Sequence, residues 1–109
     1  MSGEHLDLVA LVEPTHAKGA THAERFAEFH RQNPWVLAAI ERLIGEWIRA
    51  GHVRVGIGAV WERIRWEYGM TTGDTFKANN NHRSHYARLV LERHPEWASA
   101  IETRELRAA

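Results

Sequence analysis

A chain of 109 residues holding 14 Lys plus Arg, 14 Asp plus Glu and no cysteine reads as one domain with a single core. The balanced charge excludes a protein that coats nucleic acid or anionic membrane through bulk charge, and the missing cysteine excludes disulfides, thiolate zinc sites and a cysteine nucleophile. Any nucleic-acid site must be local, and the C-terminal half is the more cationic: residues 1–50 hold five Lys/Arg and seven Asp/Glu, residues 51–109 nine and seven.

Residues 1–20 mix short apolar pieces with Pro14, Gly19 and small polar residues, which predicts a flexible N-terminal arm with at most one turn around Leu6 to Val12. The single helical domain is expected over 21–109. Its opening acids stand where a signal peptide needs cations, and its apolar run is too short for a bilayer, so a cytoplasmic protein with no membrane partner is expected.

Thr21 followed by Glu24 fits a capping box and predicts a helix from His22, with Phe26, Phe29 and His30 inward. Asn33-Pro34 predicts the next start at Pro34, because proline lacks an N–H that the first turn does not need and asparagine is a favoured cap. This second helix places Val36, Ile40, Leu43, Ile44 and Trp47 on one stripe, and Gly51 supplies its left-handed end. The short alternating HVRVG that follows reads as extended.

In the third helix Ile57, Val60, Trp61, Ile64 and Tyr68 recur at helical spacing, and Gly69 is the predicted stop. Trp66 lies on the opposite side of that wheel; it is either covered by a second surface or exposed for a contact, and aromatic burial favours cover. A last main helix is expected from His82 to Arg93, with Tyr86, Leu89 and Val90 inward and Ser84, Arg88 and Leu91 outward, ended by Pro95. The tail should add one or two turns that bury Trp97 and Ile101. The sum is a compact all-α bundle of four main helices with a helix-turn-helix-like C-terminal half and a short extended hairpin as an option.

DNA binding needs a short helix whose exposed face carries groups able to reach base edges, with cations and amides beside it for phosphates. Lys77, Asn79, Asn80, Arg83, Ser84, His85 and Arg88 meet that requirement in type and spacing. Two features oppose it: the turn exceeds the three or four residues of a simple helix-turn-helix, and Arg83 and Arg93 fall near the apolar edge of their helix. Asn79, Asn80 and Asn81 also suit a turn that caps the helix after it. The rival is a protein-interaction module anchored by Trp35, Trp66 and Leu91, and the third reading is a homodimer.

Metal and catalytic sites have less support. His82 and His85 are spaced for one metal but lack an obvious third ligand, and His16, His22 and His30 are scattered. Ser84 and His85 are sequence neighbours that project about 100° apart, so they do not pair as nucleophile and base. The expectation is no enzyme, no metal and no cofactor.

The NP helix start, the IRWE segment, the FK-NNN turn and the YARL helix together resemble a family of small bacteriophage and prophage proteins, over nearly everything from Phe26 to Arg107. The resemblance implies a helical fold and a phage or prophage setting, hence the host bacterial cytoplasm. It brings no activity or site residues with it; an accessory role in transcriptional control or against a host protein is the expectation.

Overall fold

In the computed structural model, which describes residues 6–102, four α-helices account for most of the chain: α1 (His22–Gln32), α2 (Pro34–Arg49), α3 (Ile57–Thr72) and α4 (His82–Arg93). A 3-10 turn, Pro95–Trp97, follows. Two short strands, β1 (Val55–Gly56) and β2 (Ile101–Glu102), pair in parallel, Val55 opposite Ile101. The predicted all-α bundle is present. The extended hairpin is replaced by this parallel pair, because α3 and α4 lie between the two strands, and the tail uses Ile101 as a buried strand residue rather than a helical one. Tail residues beyond Glu102 lie outside the described residues. None of the described helices is long and apolar enough to cross a membrane.

The predicted starts hold for physical reasons. Thr21 accepts from the Glu24 N–H at 3.1 Å while the Thr21 N–H donates to Glu24 Oε1 at 2.8 Å, so two orphan groups of α1 are satisfied reciprocally. Pro34 occupies the first turn of α2, and Gly51, at φ 101°, lets the chain leave it. The end of α3 differs from the prediction. Gly69 stays helical and Gly73, at φ 80°, is the left-handed residue whose N–H reaches Gly69 O at 2.9 Å.

The core is an aromatic chain through the bundle. Trp35 stacks on Tyr68, Tyr68 and Trp61 both meet Phe76, and Tyr86 lies between Trp61 and Phe26. Val36, Ile40, Ile44, Ile64 and Val90, all fully buried, fill the space beside these rings. Some expected core members sit further out: Phe26, His30, Leu43 and Leu89 are half-buried, and Trp47 is 42% exposed because its indole turns to donate to Arg54 O at 2.7 Å and to stack on His52.

The arm also departs from its prediction. It is packed rather than loose: Leu6, Leu8 and Leu11 lie against the core, and a tight turn closes the Leu8 N–H onto Leu6 O at 2.9 Å. The Leu11 N–H donates to Tyr68 Oη at 2.9 Å, and Asn33 reads the Val12 backbone in both directions, accepting from its N–H and donating to its carbonyl at 2.8 Å each. Asn33 is fully buried and makes no side-chain cap bond to α2, so its role is to hold the arm rather than to cap the helix.

Candidate nucleic-acid interface

Residues 73–81 connect α3 to α4 as a braced platform. Phe76 is buried as its anchor. Asn80 Oδ1 accepts from both Trp61 Nε1 and Arg65, each at 3.2 Å, and Arg65 also donates to Phe76 O at 3.3 Å. Asn79 Oδ1 accepts from the Asn81 N–H at 2.8 Å, an Asx turn that leads into α4. Asn81 itself makes no side-chain cap bond; its amide lies 3.3 Å from His22 Nδ1. The triple asparagine is thus divided between bracing, turning and contact with α1.

Of the residues predicted to meet DNA, Lys77, Asn79 and Arg88 are exposed. Asn80 is exposed, but its carbonyl is committed to α3. Ser84 and His85 are half-buried, Ser84 Oγ donating to Asn81 O at 3.4 Å and His85 stacking on Phe26 at 5.0 Å. Arg83 is half-buried and engaged within the fold. The rival anchors divide differently. Trp35 and Leu91 are half-buried against the core, so Leu91 does not point outward as expected, because α4 packs on two sides. Trp66 is 66% exposed, against the expectation of cover, and Met70, one turn on, is 71% exposed.

Packing of α1 against α4 adds residues that sequence reasoning left scattered. His82 is buried against Phe29, with ring centroids 4.6 Å apart, and His30 Nδ1 lies 3.4 Å from Tyr86 Oη. Burial holds the His82 imidazole down to about 4, and the charges of nearby His85, His16 and His22 push the same way. His85 is held below the ordinary histidine value by burial, then by Arg88 and His22. Through these contacts the arm, α1, the platform and α4 meet around His82, with Arg25 and Lys77 lining the same cavity as His82 and Arg88 near His85. No local motif announces this convergence; the only sequence signal was the number of histidines, which is uninformative until α1 and α4 are packed. Among the described residues no group of three or more His, Asp or Glu is placed to hold a metal ion.

The fold is that of a small helical domain whose α1–α4 seam gathers His22, His30, His82 and His85. No family model, curated protein or solved structure matches the chain.

Proposed function

We propose that the protein binds duplex DNA through the face formed by the platform and α4, without catalysis, as a phage-type accessory or regulatory protein. The observation that carries this reading is that Lys77 and Asn79 on the platform and Arg88 on α4 are all exposed, beside a loop anchored by Phe76 and braced by Asn80. In this reading α4 is the helix that approaches the groove, with Arg88 directed at base edges and Ser84 and His85 at its margin. Lys77 and Asn79 grip phosphate from a platform whose backbone is fixed before binding, which lowers the ordering cost. Asn80 and Arg83, committed inside the fold, leave the contact set and become positioning residues.

A second reading rests on Trp66 and Met70, whose joint exposure one turn apart on α3 suits a protein partner or a second copy of the chain. The two readings use different faces. Titrating the wild type and the Arg88→Ala, Lys77→Ala and Trp66→Ala variants with duplexes separates them. Under the DNA reading Arg88→Ala relaxes preference at one base position by about 1 to 3 kcal/mol, Lys77→Ala weakens all sequences alike, and Trp66→Ala changes neither. Unchanged DNA retention in Arg88→Ala and Lys77→Ala, with loss of a partner or of self-association in Trp66→Ala, sinks the DNA reading and leaves the second.

A further inference from the structure

We propose that the cavity between the arm, α1 and the platform is a binding site for a single phosphate group. The cavity measures about 150 Å³ and its polar lining is Glu13 and His16 from the arm, Arg25 from α1, Lys77 and Asn79 from the platform, and His82 from α4. Nearly every polar group there is a donor. Arg25 has its Nε fixed by Ala20 O at 3.1 Å, which orients the guanidinium and leaves its terminal N–H groups to offer. Asn79 has its carbonyl oxygen engaged by the Asn81 N–H, so the NH₂ is what remains for a ligand. Lys77 contributes an exposed ammonium, and His16 an exposed imidazole.

Donors converging from three separate segments fit a tetrahedral oxyanion, which presents oxygens in several directions, better than a planar carboxylate, which presents two. Glu13 is the one acid of the cavity. Its carboxylate opposes a fully charged anion, and this gives the site a signature of its own. His82 Nδ1 is buried without a partner, a further sign that the polar groups here are arranged around something other than one another. The inference goes beyond the DNA reading, because a backbone phosphate and a small phosphate ester offer the same group.

The test is an NMR titration of the intact chain with inorganic phosphate, against chloride at matched ionic strength, following the Asn79 side-chain amide and the His16 ring. Saturable shifts are expected in the wild type. Lys77→Met should weaken binding about tenfold by removing a charge-assisted contact, and Glu13→Gln should tighten it. Both substitutions are at exposed positions, so the fold is retained and a circular dichroism spectrum checks it. No saturable shift with phosphate, or equal affinity in the wild type and Lys77→Met, overturns the site. A second arm adds a short duplex. Displacement of phosphate by the duplex identifies the DNA backbone as a source, whereas phosphate binding with no response to duplex keeps the site for a small phosphate ester and counts against the DNA reading alone.

Discussion

Asn33 is the residue on which the arm depends. Its amide closes two bonds with Val12 and a third with Phe29 O at 3.0 Å, all in a fully buried position. Asn33→Ala should therefore cost about 1 to 3 kcal/mol, the scale of leaving buried polar groups unmet, and should expose residues 6–16 to protease. Urea denaturation with a parallel digest checks both. The two tryptophans of α3 offer a sharper contrast. Trp61 is fully buried, so Trp61→Ala should cost about 3 to 5 kcal/mol. Trp66→Ala, on the exposed side of the same helix, should stay within about 0.5 kcal/mol. Equal losses in thermal unfolding would contradict the assignment of the two faces.

At the scale of elements, the seam between α1 and α4 makes stability depend on pH. His82 keeps a folded-state value of about 4 against an ordinary 6.5, so between those values the unfolded chain binds a proton that the folded chain refuses. Its contribution is complete above about pH 6.5 and is lost as the pH falls toward 4, by at most about 3 kcal/mol. The groups around it are His85, His16 and His22, with Arg25, Lys77 and Glu13 lining the adjoining cavity. Denaturation midpoints measured between pH 7 and 4.5 should fall, and His82→Gln should flatten the slope; a midpoint that is flat in the wild type contradicts the buried neutral imidazole. Local patterns revealed the elements themselves: the Thr21–Glu24 box, Pro34 and the apolar stripes needed only nearest neighbours. What they missed depends on tertiary contact. The sequence at Gly69 and at Gly73 permits a left-handed residue equally, and the choice falls on Gly73 only when Phe76 is drawn into the core. Likewise Asn33 looks like a cap until the arm arrives beside it, and Trp47 leaves the core because Arg54 O offers its indole a partner. The candidate face was half legible. Lys77 and Asn79 on the polar turn and Arg88 on the outward side of α4 are exposed as their local patterns implied, while His16, His22 and Arg25 join only through packing.

At the scale of the whole molecule, a formal net charge of zero means that any attraction to DNA must come from one face, with a compensating negative balance over the remainder. Several cations elsewhere are already paired: Arg93 with Glu41, Arg63 with Glu67, and Arg31 with Glu28. The proposed contact set holds few cations to displace counterions, so binding should be weak and its salt dependence shallow for a DNA-binding protein. The most direct measurement is fluorescence anisotropy of a mixed-sequence duplex titrated with the protein at a series of salt concentrations near pH 7. With Lys77 and Arg88 as the cations of the proposed contact set, a plot of log affinity against log salt should fall with a slope no steeper than about −2. An anisotropy that does not change at high micromolar protein in low salt would contradict the account.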